Sequence, residues 1–183
     1  MKTTKKIAVS AIMTALATVL MLLSKIIPAP WLQGGSVTIA SMVPIITVGI
    51  LFGTKWGLYS SLCYSLLQMM FGFYPPPTQT FIYFILVVLL DYVFAFGVLG
   101  LSGMFYSLLG KKKFAIPVSS FIVTSLRYLC HILSGLLIWG VYAPEGQSVL
   151  MYSLIYNGTY MVPEIIISVI VTTVIFKSRI LKI

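Results

Sequence analysis

Apolar runs of membrane-crossing length, separated by short polar punctuation, make up almost all of this chain. Six of them can be cut, at roughly 7–27, 37–53, 56–74, 80–109, 114–141 and 149–176. Each approaches the ~20 residues needed to cross a hydrocarbon core ~30 Å thick, the second only just and the fourth with residues to spare. Backbone groups in lipid must be satisfied within their own segment, so helices are expected, and nothing alternates with the period of a barrel strand. The pattern predicts an all-α integral membrane protein, a single domain over residues 1–183 with six transmembrane helices.

Polar positions break the runs at a few places. Arg127, His131, Gly135 and Trp139 recur every four residues, forming one stripe on a predicted helix with a glycine where something can approach closely. Four ionisable side chains lie within spans: Asp91, Arg127, His131 and Glu164. A charge at such depth is costly, and it normally faces a bundle interior or wet cavity and has a partner. At a rise of about 1.5 Å per residue, Asp91 falls roughly 15 Å below the outer start of its helix and Arg127 roughly 20 Å above the inner start of the next. His131 is one turn further out and Trp139 near the outer surface, while Asn157 lies at roughly 12 Å depth with Tyr152 above it. Together these residues describe a small cavity open to the outside. The plainer alternative is a structural Asp91–Arg127 ion pair with incidental aromatic neighbours. Glu164, about 10 Å deeper than Asn157, either pairs with Arg127 at the floor or faces a partner.

Composition and charge set the topology. The chain is 60% hydrophobic and 8% charged, with a mean hydropathy of +1.07, too apolar for a soluble domain. Its 12 Lys and Arg outnumber 3 Asp and Glu, but the cations sit at the ends of apolar runs, so topology explains them better than nucleic acid does. Lys2, Lys5, Lys6, Lys55, Lys111, Lys112, Lys113, Lys177, Arg179 and Lys182 mark the termini and every second connection as cytoplasmic. The opposite connections, 28–36, 72–79 and 142–148, carry none, and Lys25 near the outer face can snorkel. The first run exceeds the 7–15 residues of a signal-peptide core and is read as a membrane helix. Cys63 and Cys130 are read as small buried hydrophobes.

The punctuation has its own character. Ile27 to Gly35 combines prolines, Trp31 and a glycine pair, suiting a shaped lid, and Tyr74-Pro-Pro-Pro77 should be a stiff elbow. Gly53-Thr-Lys55 leaves room only for a tight hairpin, with Gly49, Gly53 and Gly57 allowing close approach. Gly97, Gly100 and Gly103 fit close packing or a bend. Ala8, Ala11 and Ala15 form a small-residue stripe that serves either packing within the bundle or docking of another membrane subunit.

Trp139, Tyr92, Tyr152 and Trp31 offer aromatic faces and Asp91 a negative charge. A planar cationic heteroaromatic molecule would gain stacking, charge pairing and cation–π attraction of up to ~2 kcal/mol, with Asn157 and Arg127 free to supply directional hydrogen bonds. The sequence has no phosphate-binding loop and no metal-ligand spacing. Ser134 and Ser125 near His131 suit packing or ligand contact better than a hydrolytic dyad. The Asn157-Gly-Thr159 sequon falls inside a span.

Four blocks carry a resemblance: Gly34-Gly-Ser-Val-Thr38 leading to Met42-Val-Pro44; Leu90-Asp-Tyr92 running to Gly100-Leu-Ser-Gly103; Leu126-Arg-Tyr128 with His131 and Gly135; and Tyr152-Ser-Leu-Ile-Tyr-Asn157. In this order, over essentially the whole chain, they resemble the thiamine-specific S components (ThiT/YuaJ family) of energy-coupling factor (ECF) transporters. The resemblance implies a six-helix subunit of the bacterial cell membrane, neither an enzyme nor a cofactor binder. It would capture thiamine outside and deliver it inward with the transmembrane coupling protein EcfT and two ATPase subunits. By motif it implies Asp91 as the acid facing the cationic ligand, with Tyr92, Arg127, His131, Trp139, Tyr152 and Asn157 as pocket residues. Tyr74 is matched to a pocket tyrosine, and Trp31 lies earlier than the family's tryptophan before segment two. Ala11 and Ala15 match the surface presented to the coupling protein. The rival expectations are an S component for another vitamin or a thiamine precursor, and a small intramembrane enzyme using His131.

Overall fold

A computed structural model describes residues 2–26 and 37–178. The described residues form six main helices: α1 Thr3–Ser24, α2 Val43–Phe52, α3 Thr54–Gly72, α4 Phe81–Leu108, α5 Ala115–Leu137 and α6 Val149–Lys177. Of these α1, α4, α5 and α6 are long and apolar enough to cross a membrane. The order of up and down strokes puts the lysine-bearing connections at one end of the bundle and the 73–80 and 138–148 connections at the other.

The second segment differs from its expected 37–53 span. Its helix begins only at Val43, where Pro44 starts a first turn that needs no proline N–H. The ten residues of α2 rise about 15 Å, half a bilayer core. Eight of them are buried, and Met42, Ile45, Ile46 and Val48 have no exposed surface at all. A helix apolar on every side belongs in a core, and α2 forms the centre of this one with Ala17, Tyr64, Phe96, Leu99 and Val123. Hydropathy reads burial in protein and burial in lipid alike, which is why the run looked like a span.

The hairpin between α2 and α3 is one residue, Gly53, whose φ of 90° lies in the region other residues avoid. Beyond it the helices meet α4 backbone to backbone: a Cβ on Gly100 would stand 2.6 Å from the Gly57 carbonyl carbon and the Leu58 nitrogen. Gly49 and Gly103 close the same crossing, and the Ser102 hydroxyl donates to the Ile46 carbonyl at 3.0 Å. A Cβ on Gly97 would meet nothing within 4 Å, so this glycine is not required for the close approach.

The core-facing side of α1 is Ser10, Thr14, Ala17, Thr18, Met21 and Ser24. Ala8, Ala11 and Ala15 are exposed, Ala11 and Ala15 on the flank next to Ser10 and Thr14. Ala11 and Ala15 line a shallow apolar groove with Trp56, Tyr59 and Cys63 of α3. Cys63 is therefore exposed rather than buried, and Cys130 is half-buried. Lys25 does more than reach outward, since its ammonium donates to the Phe71 carbonyl at 2.6 Å and caps the end of α3.

Candidate ligand-binding site

At the end of the bundle that holds the 73–80 and 138–148 connections, α3, α4, α5 and α6 enclose a cavity of about 390 Å³. Asp91, Tyr92, Arg127, His131, Trp139, Tyr152, Asn157 and Tyr74 all line it, joined by Gln68, Phe96, Tyr142, Tyr156 and Tyr160. Trp31 and the connection 28–36 lie outside the described residues.

The floor begins with α4, which is not a uniform helix. Val88–Phe94 forms a π-helical turn, followed by a tight 3-10 turn at Val98–Leu101. A π turn bonds i to i+5, so residues five apart share a face, and Asp91 and Phe96 both reach the cavity. No pattern in the sequence marks this turn, because local hydropathy is the same in either helix type.

The Asp91 carboxylate is held by three donors. His131 Nδ1 lies 3.1 Å from Oδ1, while Ser134 Oγ at 2.7 Å and Trp139 Nε1 at 3.1 Å meet Oδ2. Arg127 Nε donates to His131 Nε2 at 3.3 Å, and its guanidinium sits 4.2 Å from the centre of the Phe96 ring. A guanidinium can only donate, so Nε2 must be the accepting nitrogen and the ring proton sits on Nδ1, facing Asp91. The described residues thus hold no direct Asp91–Arg127 ion pair; a neutral imidazole separates the two charges. The carboxylate has side-chain exposure of 16% and presents its negative charge to the cavity.

The stripe expected on α5 holds from Arg127 to Gly135, but the helix ends at Leu137 and Trp139 lies on a 3-10 turn, Trp139–Tyr142. The turn swings the indole inward, with Tyr74 on one side at 5.4 Å between ring centres and Tyr142 stacked on the other at 6.3 Å. Tyr74 reaches it because the Tyr92 hydroxyl donates to the Gly72 carbonyl and accepts from the Tyr74 N–H, both at 2.9 Å. Tyr92 therefore contributes its ring to the wall and spends its hydroxyl on the backbone.

Gly135 lets α6 approach until its Ser153 and Asn157 touch α5. The Asn157 amide donates to the Ser153 carbonyl at 2.9 Å and the His131 carbonyl at 3.2 Å, and its oxygen accepts from Tyr160 at 2.5 Å. It lines the cavity as a fastener between α5 and α6, not as a free hydrogen-bonding arm. Tyr152, Tyr156 and Tyr160 follow one another up the same face, with Tyr160 edge-on to His131.

Glu164 meets neither Arg127 nor a partner face. It is 1% exposed, and its Oε1 accepts from the Thr38 backbone N–H and, at 2.7 Å, from the Thr38 hydroxyl, which in turn accepts from Ser41 at 2.6 Å. The non-helical segment 37–42 enters the bundle to about Glu164's depth, where its backbone has to be satisfied by protein.

The fold and this cavity define a class: a multi-pass helical membrane protein that encloses a small polar, aromatic-walled site at one end of its bundle. Comparison with known proteins narrows it. The chain belongs to the thiamine transporter protein family (Thia_YuaJ), which matches residues 7–183. It is 39% identical to the thiamine transporter ThiT of Bacillus subtilis over 94% of this chain and 91% of that one. It is 31% identical to ThiT of Lacticaseibacillus paracasei over 48% of each chain. The solved structure of ThiT from Listeria monocytogenes shares the fold at a TM-score of 0.72 and 23% identity, covering 95% of this chain and 96% of that one.

Proposed function

We propose that this chain is the thiamine-capturing S component of an ECF importer in the bacterial cell membrane. The observation that carries the reading is the Asp91 carboxylate, fixed by three neutral donors and turned to a cavity walled by Trp139, Tyr74, Tyr152 and Phe96. Thiamine joins a cationic thiazolium to a pyrimidine, two flat rings that gain from stacking and one that gains from the carboxylate. The family relationship supports thiamine among cations of this shape. The lysines of the termini and inner connections lie at the other end of the bundle from the cavity, which supports capture on the outer side, and the groove at Ala11 and Ala15 is the docking face for EcfT, through which two ATPase subunits drive inward release.

The chain acts by binding and not by catalysis. Among the described residues His131 is not paired with a serine, because its Nδ1 faces Asp91 and its Nε2 accepts from Arg127, which leaves it as part of the cavity's wall. The test is calorimetry of purified, ligand-stripped protein with thiamine, competed by a panel of other vitamins and by the separate pyrimidine and thiazole precursors. Saturable one-to-one binding of thiamine with quenching of tryptophan fluorescence is expected. Preference for another vitamin would move the chain to a different substrate within the same class.

A further inference from the structure

We propose that Ser134 is a positioning residue of this cavity, setting the Asp91 carboxylate and the Trp139 indole together through one hydroxyl. The inference rests on the thiamine-binding reading and assigns a role that neither the motif pattern nor the hydropathy of α5 marks.

Ser134 is fully buried on α5, three residues beyond His131. Buried serines and threonines of membrane helices commonly bond back to the carbonyl four residues earlier, as Ser119 does to Ala115 at 2.5 Å and Thr124 to Ser120 at 2.8 Å. Ser134 instead donates across the bundle to Asp91 Oδ2 on α4 at 2.7 Å. Its oxygen also accepts from Trp139 Nε1 at 3.0 Å, and that same N–H reaches Asp91 Oδ2 at 3.1 Å. The three groups close a small ring of hydrogen bonds over two helices and the turn beyond α5.

Each of the other two members needs this contact. The final torsion of an aspartate is broad and two-fold, and without Ser134 the second carboxylate oxygen would keep only the Trp139 N–H, itself shared with the serine oxygen, to fix it. Trp139 stands on a 3-10 turn past the end of its helix, where Tyr74 and Tyr142 pack on its ring but its N–H has only Ser134 and Asp91 to bond. The Ser134 hydroxyl holds the second carboxylate oxygen and orients the indole. Charge and stacking face therefore stay in register for a flat cation, and that pre-ordering is worth affinity because the ligand need not pay for it on binding.

The experiment is a double-mutant cycle on the full-length protein in detergent, with thiamine as the probe and calorimetry as the readout. Ser134→Ala is expected to weaken thiamine binding about tenfold in the native background and less than twofold in an Asp91→Asn background. Trp139→Phe serves as that background should Asp91→Asn bind too weakly to measure. A structural role alone would give equal losses in both backgrounds, and that result, or no loss at all, overturns the proposal. Ser134→Cys, close in size and a poor donor, repeats the comparison if the alanine variant does not fold. A ligand-free arm uses protein whose other tryptophans are replaced (Trp31→Phe, Trp56→Phe), where Ser134→Ala should shift the emission of Trp139; an unchanged spectrum counts against the role. Native protein that binds no thiamine would refute the functional reading, whereas native binding with additive losses would refute only the role of Ser134.

Discussion

At the scale of single residues, the cavity is governed by one negative charge and its neighbours. Asp91→Asn keeps the shape and removes the charge, and Trp139→Ala removes the main stacking face; each should weaken thiamine binding at least tenfold, ~1.4 kcal/mol, by calorimetry. Unchanged affinity in both would separate this cavity from the substrate. Glu164 predicts a stability effect instead. Glu164→Gln keeps an acceptor for Thr38 and should shift the melting temperature little, whereas Glu164→Ala strands a buried N–H and hydroxyl at a cost of ~1–3 kcal/mol each and should melt clearly lower. The ionisable members of this network were legible in the sequence because a charge inside an apolar run is rare and expensive. Ser134 was not, because a serine in a helix is ordinary until the atom it faces is known. The partners that engage the Asn157 amide, Ser153, His131 and Tyr160, were not legible for the same reason, since they are set by how α5 lies against α6.

Elements show where one-dimensional reading stops. The long runs became α1, α4, α5 and α6 close to their expected bounds, because length and apolarity suffice to specify a spanning helix. The run at 37–53 became a ten-residue buried helix because its sides are covered by protein. Within α4, the π turn that presents Asp91 and the glycine crossing below it are properties of packing against α3 and α5. That crossing makes a firm prediction. Gly100→Ala would place a methyl group against the α3 backbone, which cannot move aside as a side chain can, so overpacking of ~1–3 kcal/mol or more is expected. Thermal unfolding of detergent-solubilised protein checks it, with Gly97→Ala, in open space, as the control expected to melt like the native protein.

For the whole molecule, the two ends and the outer surface divide the work. The cavity lies at the end that holds the 73–80 and 138–148 connections, and the exposed groove at Ala11 and Ala15 runs along the side of α1 and α3. Ala15→Leu should fill that groove and leave thiamine affinity within about twofold of native, while abolishing uptake in cells that supply the coupling subunits. Loss of binding and uptake together would place Ala15 with the fold and not with docking. The sequence by itself determined the number of long apolar runs, the lysine asymmetry that orients them, and which polar groups sit at depth, because hydropathy and a 1.5 Å rise act along the chain. Only the tertiary structure decided that Asp91 meets His131, Ser134 and Trp139 and not Arg127, that Glu164 holds Thr38, and that α2 stops halfway. Those outcomes depend on the rotation and offset of one helix against another, which contacts between distant residues fix and no local pattern encodes.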